Sequence, residues 1–387
     1  MERKKVLVSY EWVEIFRGYK DIQLIGSLSN FFDVDVIYPN YICKQDVEMK
    51  TFDGANGVFF NDKLNEIVDM EHCRFHFLSV LPISVKGNDK RTLNISIVPT
   101  QFLKIIFLRP RAIIDFVYST FTPRTYTNYL AAKFLNIPLV LLDCGDIAKK
   151  DLWWQRVLVP FEQEVVAYSS KIITYSDLGQ QRFWNYYLTK GNEVQVIPKY
   201  VDLNEFNPDG KKLKKFPFRN KFKILFAGRF EKGGETIIQL ADMLPKSVQF
   251  IVTDKRFSGL HNSKIVIVSV SRQNIAKLYR SVDLVIQPDA EHPLEISTVT
   301  VEAAASGKAQ IVANASNKNA IPLIDKKEYY SVSADDIYTI CALIYKLWKH
   351  PGLLKRMNKA ARKAAELLFD SKKNCAQATN IVSEVLA

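Results

Sequence analysis

Lys223-Ile-Leu-Phe-Ala-Gly-Arg-Phe-Glu-Lys-Gly-Gly234 is the stretch around which the rest of the sequence arranges itself. A short apolar run ends at Gly228, a loop with two cations follows, and an amphipathic helix is predicted over Thr236 to Met243. Strand, glycine-punctuated loop and helix form the repeating unit of a parallel sheet. Downstream the rhythm continues with strands at Val248 to Val252 and Lys264 to Val268, a helix over Gln273 to Tyr279 and a strand at Leu284 to Ile286. A helix at Val301 to Ser306 and a strand at Gln310 to Val312 close the series, and a helical tail follows from Ala334 to Ala387.

Upstream the same alternation is legible. Lys5 to Ser9 reads as a strand, Asp21 to Phe31 as a helix and Val34 to Tyr38 as a strand. Ala112 to Tyr118, Pro138 to Leu142, Lys171 to Tyr175 and Val194 to Ile197 read as further strands, with helices at Thr127 to Leu135 and Gln155 to Tyr168 between them. Residues 43 to 100 carry no clear period. Pro, Asn, Asp and Gly cluster between Pro198 and Gly210, which marks a boundary. The expectation is an α/β protein of two Rossmann-like, doubly wound parallel-sheet domains, residues 1–205 and 206–387, with the final helices free to pack back on the first. Such domains take ligands at the carboxyl ends of their strands, here across a shared cleft.

With 387 residues, 48% of them hydrophobic and only 15 Gly and 15 Pro, the chain has the composition of a packed protein, which excludes fibrous and disordered classes. No run approaches the roughly 18 apolar residues that span a bilayer, and no signal-peptide core follows the first lysines. The expected place is the cytoplasm, or the inner face of the cytoplasmic membrane. Five dispersed Cys without a C-x-x-C pair argue against a disulfide framework or a zinc module. His72 and His76 stand at helical i, i+4 spacing and read as a helix pair, without the Glu of a zinc-binding helix.

The net charge of +12 is unevenly distributed. Residues 1 to 205 carry 24 Lys and Arg against 24 Asp and Glu, whereas residues 206 to 387 carry 29 against 17. A tract of Lys211, Lys212, Lys214, Lys215, Arg219, Lys221 and Lys223 opens the excess, as a solvated linker or as a contact for anionic headgroups. Gln101 to Arg111 mixes apolar and basic residues as an interfacial helix would, or as a core helix with a basic end.

Two motifs carry chemistry. In the first, Gly228 allows a tight turn and close approach of a ligand, while Arg229 and Lys232 place a bidentate fork and a compact charge at a strand's carboxyl end, as a diphosphate requires. Neither a P-loop nor a G-x-G-x-x-G fingerprint is present. In the second, Glu295-Ile-Ser-Thr-Val-Thr-Val-Glu302 leads into Ala-Ala-Ala-Ser-Gly307. Ser297 and Thr298 are N-cap types, the following amides suit an anion, and Glu302 is placed to accept hydrogen bonds from two vicinal hydroxyls, or to stand as a solvated helix carboxylate. Asp33-Val-Asp35 imitates a metal-binding D-x-D but opens an alternating strand, so it reads as a helix-to-strand turn and no metal is expected.

Together with Val196-Ile-Pro-Lys-Tyr-Val-Asp-Leu-Asn-Glu-Phe206, these motifs resemble the GT-B glycosyltransferases of the retaining family 4, from about Lys171 onward. The resemblance implies a nucleotide sugar bound by the second domain, Arg229 and Lys232 on the diphosphate and Glu302 on the ribose. Glu295, seven residues before Glu302 where the family has eight, stands for its first acidic residue. Amides at Ser297 and Thr298 stand for the family's Phe-Gly, and Arg272 for the region lining the nucleobase. In the first domain, Arg17-Gly18-Tyr19 occupies the place of a glycine pair, and Leu142-Asp-Cys-Gly-Asp146 the place of a His-Gly. The His is gone, so Asp143 and Asp146 are candidates by position for contact with a donor or acceptor hydroxyl, and equally for capping the next helix.

The function implied is transfer of a sugar from a nucleoside-diphosphate sugar to a carbohydrate or lipid-linked acceptor, with retention, in surface-glycan or glycolipid synthesis. No cofactor beyond the co-substrate is expected, since Arg229, Lys232 and a helix terminus supply the charge a metal would. A non-catalytic partner subunit and a nucleotide-sugar epimerase remain open alternatives. Nucleic acid is not expected as a partner, because the aromatic residues are not interleaved with the cations.

Overall fold

The computed structural model describes residues 3–10, 19–39, 41–44, 47–51, 71–79, 81–86, 92–117, 122–143, 153–187, 193–213, 221–259, 262–271, 274–288, 296–313, 321–333 and 335–387. It divides into two units, Met1–Ile197 with Lys372–Ala387, and Pro198–Ser371.

The first unit is built on seven parallel strands. In chain order they are β1 (Lys5–Ser9), β2 (Asp33–Pro39), β5 (Cys73–Leu78), β8 (Ala112–Val117), β9 (Leu139–Asp143), β10 (Lys171–Thr174) and β11 (Val194–Val196), and in space β11-β10-β9-β8-β1-β2-β5. The order reverses between β1 and β8, where Val6 lies opposite Ala112 and Ser9 opposite Asp115. Every residue of β8 and β9 is buried, as continuous apolar strands covered on both faces must be. The helix Ser371–Leu386 closes this unit, with Thr379 Oγ1 2.8 Å from Ser27 Oγ of the first helix, Tyr19–Ser29. Among the described residues, two antiparallel strand pairs lie in or overlap the stretch without clear period, β3 (Tyr41–Lys44) with β4 (Val47–Thr51) and β6 (Leu81–Lys86) with β7 (Thr92–Ile97).

The helix pair expected at His72 and His76 is not formed. His72 leads into β5 and His76 lies within it, because Val34 to Pro39 pair with Cys73 to Leu78 strand to strand. His72 Nδ1 sits 2.8 Å from Asp33 Oδ1, and His76 Nε2 2.7 Å from Asp35 Oδ1. The Asp-x-Asp carboxylates thus face histidines across adjacent strands.

The second unit holds six parallel strands: β12 (Phe222–Phe226), β13 (Val248–Val252), β14 (Ile265–Ile267), β15 (Leu284–Gln287), β16 (Gln310–Ala313) and β17 (Tyr330–Val332). Their order, β14-β13-β12-β15-β16-β17, is the doubly wound arrangement with its reversal between β12 and β15. Ile224 and Phe226 pack into one core layer and Leu225 into the other, so alternate residues of one strand serve both faces. Among the described residues of this unit, the helices Ile337–Lys349 and Pro351–Leu368 follow β17.

Candidate functional site

The reversal point of the second sheet gathers both motifs at its carboxyl edge. After β12 the chain folds back over its own last residue: a Cβ on Gly228 would lie 2.7 Å from the Phe226 ring. That ring cannot yield, being buried and packed edge-on against Phe257, which also meets Phe230. The reason for glycine here is therefore the strand's own aromatic residue. Arg229 opens a single 3₁₀ turn, Phe230–Lys232, closed by the Lys232 amide donating to the Arg229 carbonyl at 2.9 Å. Gly233 then adopts φ +112°, a conformation strained for any other residue, and starts the helix Gly234–Met243 with no side-chain cap.

The Arg229 guanidinium stands 3.7 Å from the Glu231 carboxylate. Glu231 in turn receives Arg256 at 2.5 Å, and Arg256 forks onto Asp254 with contacts of 2.5 and 3.1 Å. Asp254 follows β13 and also accepts the amides of Phe230 at 2.8 Å and Arg256 at 2.9 Å, which ties the two loops together. The Arg256 side chain is the main reason that the Asp254 carboxyl is held down at about 2, with the two amides helping and burial opposing. Burial pushes the Glu231 carboxyl up, but its own amide, Arg256 and Arg229 together hold it below the usual range. Asp254 and Arg256 escaped the sequence reading; an Asp directly beyond a buried strand, with cations after it, is the signal that marks them.

The second motif stands at the next strand. Ser297 caps the helix Thr298–Ala305, accepting the Thr300 amide at 3.1 Å and donating its hydroxyl to Gln287 Oε1. Gln287 Nε2 donates to Thr300 Oγ1 at 2.6 Å, and Gln310 Nε2 to the Thr300 carbonyl at 3.0 Å. This buried network joins the helix start to the ends of β15 and β16. Thr298 is the first helical residue and exposed. Glu302 is only 3% exposed, so it is not a solvated helix carboxylate; a buried carboxylate is retained where partners satisfy it. Arg362 fixes the other end of the helix, donating to the Ala305 carbonyl at 2.6 Å and the Phe206 carbonyl at 2.8 Å.

The structure thus brings Gly228, Arg229 and Lys232 onto one loop, and Ser297, Thr298 and Glu302 onto the helix after the adjacent strand, at one edge of one sheet. Asp143 ends β9 of the first unit, buried, with the Thr174 hydroxyl donating to it at 3.5 Å. Gly18, Asp146, Arg272 and Glu295 lie outside the described residues. At the first sheet's own reversal point, buried Arg124 donates to Ser9 at 2.6 Å, Asp115 at 2.5 Å and the Phe116 carbonyl at 2.8 Å, a tie absent from the sequence reading. Among the described residues, no group of three or more His, Cys, Asp or Glu could hold a metal ion.

Several solved structures are similar to this chain over nearly its whole length. HepE (Alr3699) of Anabaena, in complex with UDP, covers 98% of it and is itself covered completely, with a TM-score of 0.71 and 15% identity. The chain has the GT-B fold. A second GT-B neighbour, a glycosyltransferase from Rickettsia africae, matches with TM-score 0.71 and 15% identity over 100% of this chain and 99% of that one. Sucrose-phosphate synthase of Thermosynechococcus elongatus matches at 0.68 and 14% identity, with 99% of each chain covered. A D-inositol 3-phosphate glycosyltransferase of Xylanimonas cellulosilytica is 23% identical over 244 residues, or 54% of this chain and 58% of that relative. No known family profile matches the chain.

Proposed function

We propose that this GT-B chain is a glycosyltransferase that moves a sugar from a nucleoside-diphosphate sugar to an acceptor hydroxyl, as a member of the retaining family 4. The observation that carries the proposal is the meeting of the Arg229–Lys232 loop and the Ser297–Glu302 helix at the reversal point of one parallel sheet, where doubly wound folds take their ligands. The second unit then holds the donor. Arg229 and Lys232 bind the diphosphate, joined by the unblocked amides at the start of the helix Gly234–Met243. Glu302 accepts hydrogen bonds from two vicinal hydroxyls of the ribose. HepE has been crystallised with UDP and with UDP and glucose, which makes uridine the first nucleoside to test.

As the bond to the anomeric carbon breaks, negative charge grows on the departing diphosphate and positive charge on the sugar ring. Arg229, Lys232 and the helix terminus stabilise that growing charge from fixed positions, without calling on a metal ion. Asp143, at the carboxyl edge of the first sheet, is assigned to a hydroxyl of donor or acceptor. Retention follows from the resemblance to family 4. The acceptor is a carbohydrate or a lipid-linked glycan at the inner face of the membrane, as in surface-glycan synthesis; no helix among the described residues is long and apolar enough to cross a membrane itself.

Transfer from a panel of uridine, guanosine and adenosine diphosphate sugars tests the proposal. Arg229→Ala or Lys232→Ala should cut turnover at least about a hundredfold, the scale of losing one preorganised charge stabiliser. Unchanged turnover in both would refute it. Acceptor-independent isomerisation of the donor would mark an epimerase, and failure to bind or convert any donor a non-catalytic subunit.

A further inference from the structure

Of the six large apolar side chains that the first unit exposes among its described residues, four lie on two helices that pack together, the other two being Phe31 and Phe161. Leu103 and Phe107, on the helix Gln101–Leu108, are 69% and 79% exposed, and Leu130 and Phe134, on the helix Pro123–Leu135, are 42% and 70% exposed. Each pair is spaced i, i+4, so each forms one stripe along its helix. The two helices meet beside these stripes, where the ring of Phe102, next to Leu103 in sequence, packs edge to face on Phe134 at 5.9 Å. The opposite side of the first helix is spent on the core, where Gln101, Ile105 and Leu108 are buried, so the outward stripe is not needed to hold the fold. Contiguous exposed aromatic and aliphatic residues of this kind mark a docking surface.

Cations border the stripes. Lys104 lies over the Phe107 ring at 5.8 Å from its centroid, and Arg109 and Arg111 follow at the helix end. None of these three has an ion-pair partner among the described residues, whereas Lys133 beside Phe134 stands 3.6 Å from Glu164. A second copy of the chain docked face to face would set these cations against each other. A soluble polyanion would use the cations and leave Leu103, Phe107 and Phe134 in water. An anionic bilayer takes both: phosphate headgroups pair with the cations while the aromatic and aliphatic tips enter the layer beneath them.

We infer that the helices Gln101–Leu108 and Pro123–Leu135 form one membrane-docking face, which seats Leu103, Phe107, Leu130 and Phe134 in the interfacial layer of an anionic phospholipid membrane. The face rests on the proposed function only in bringing the chain to a lipid-linked acceptor, and it can be tested with no donor present.

Flotation of the full chain with phosphatidylcholine vesicles, with and without phosphatidylglycerol, is the direct experiment. Binding is expected only with the anionic lipid. The triple variant Lys104→Ala/Arg109→Ala/Arg111→Ala should bind about a hundredfold more weakly, near fivefold for each charge at the surface. Phe107→Ser/Phe134→Ser should abolish the part of binding that survives high salt. All the replaced side chains except Arg109, whose backbone is left-handed at φ 47°, sit in ordinary helical or extended geometry on the surface. Unchanged thermal melting, or repetition with Lys104→Ala/Arg111→Ala alone, therefore separates loss of docking from loss of fold. Equal binding to neutral and anionic vesicles, wild-type binding by both variants, or no binding by the wild type overturns the inference. So does a concentration-dependent dimer that Phe107→Ser/Phe134→Ser dissolves without lipid. A nucleotide-induced thermal shift should persist in every variant, so failure here is distinguishable from failure of the donor site.

Discussion

Gly233 and Pro288 touch where the second sheet reverses its order. A Cβ added at Gly233 would stand 2.5 Å from Pro288 Cγ and 3.0 Å from the Pro288 carbonyl oxygen, on a backbone with φ +112°. The loop after β12 and the loop after β15 are therefore set against each other by the absence of a single side chain, and the spacing of the two motifs depends on that contact.

Gly233→Ala should consequently be costly twice, through backbone strain and through displacement of Pro288. A loss of about 1–3 kcal/mol in urea unfolding is expected, together with weaker nucleotide binding. Ala at Gly352, where nothing lies within 4 Å of the added Cβ, should not destabilise the chain, and the pair measured together isolates the steric cause.

In the proposed donor site, Glu231 would compete with the diphosphate for Arg229. The 3.7 Å pair is half exposed and worth little by itself, but it must be broken before Arg229 can grip a diphosphate with both arms. Glu231→Gln is expected to tighten binding of a nucleoside diphosphate by up to about fivefold, in line with an exposed ion pair, as read by isothermal calorimetry. Weaker binding in the variant would mean that Glu231 positions Arg229 instead.

Ser297 is tied into the fold as firmly as it is suited to cap a helix. Ser297→Ala removes the cap on the Thr300 amide and the bond to Gln287 together, and should cost about 1–2 kcal/mol in thermal unfolding. Because the backbone amides remain, binding of the nucleotide should change less than stability does.

Lys308 sits at the opposite, amino edge of the same sheet, largely buried, donating to the Val282 carbonyl at 2.8 Å. Burial lowers its ammonium from 10.5 to about 8, against the pull of Asp283. The folded chain thus holds that proton less tightly than the unfolded one, so the penalty is full below pH 8 and fades as the pH climbs from 8 toward 10.5. Lys308→Met should stabilise the protein by about 1–2 kcal/mol at pH 7, with the advantage over wild type shrinking across that range. A constant difference from pH 7 to pH 10 would show that titration of Lys308 is not its cause.

The strand–loop–helix rhythm around Gly228 was legible because parallel strands buried on both faces read as unbroken apolar runs, and both reversal points follow from that rhythm once the sheets are assembled. His72 and His76 misled because a spacing of four places residues on one side of a strand as well as of a helix; only the pairing of β5 with β2 decides between them. The strand Tyr330–Val332 is too short to show a period. Within the site, Arg229 and Lys232 could be named from their place after a strand; Asp254 and Arg256 also follow a strand, but what joins them to this loop is β13 lying beside β12, a neighbourhood that no local pattern carries. Gly228 stands out in the sequence as a turn and a place of close ligand approach, whereas the collision that requires glycine is with Phe226, two residues away in sequence and visible only when the chain folds back.

In the proposed site, Arg229, Lys232 and Glu302 grip one nucleoside diphosphate. Calorimetric titration of the wild type with UDP, GDP and ADP, repeated on Arg229→Ala, Lys232→Ala and Glu302→Gln, tests it most directly. Saturable binding of one nucleotide by the wild type, weakened roughly tenfold or more in each folded variant, is the expected result. Wild-type affinity in all three variants, or no binding of any nucleotide by the wild type, would contradict it.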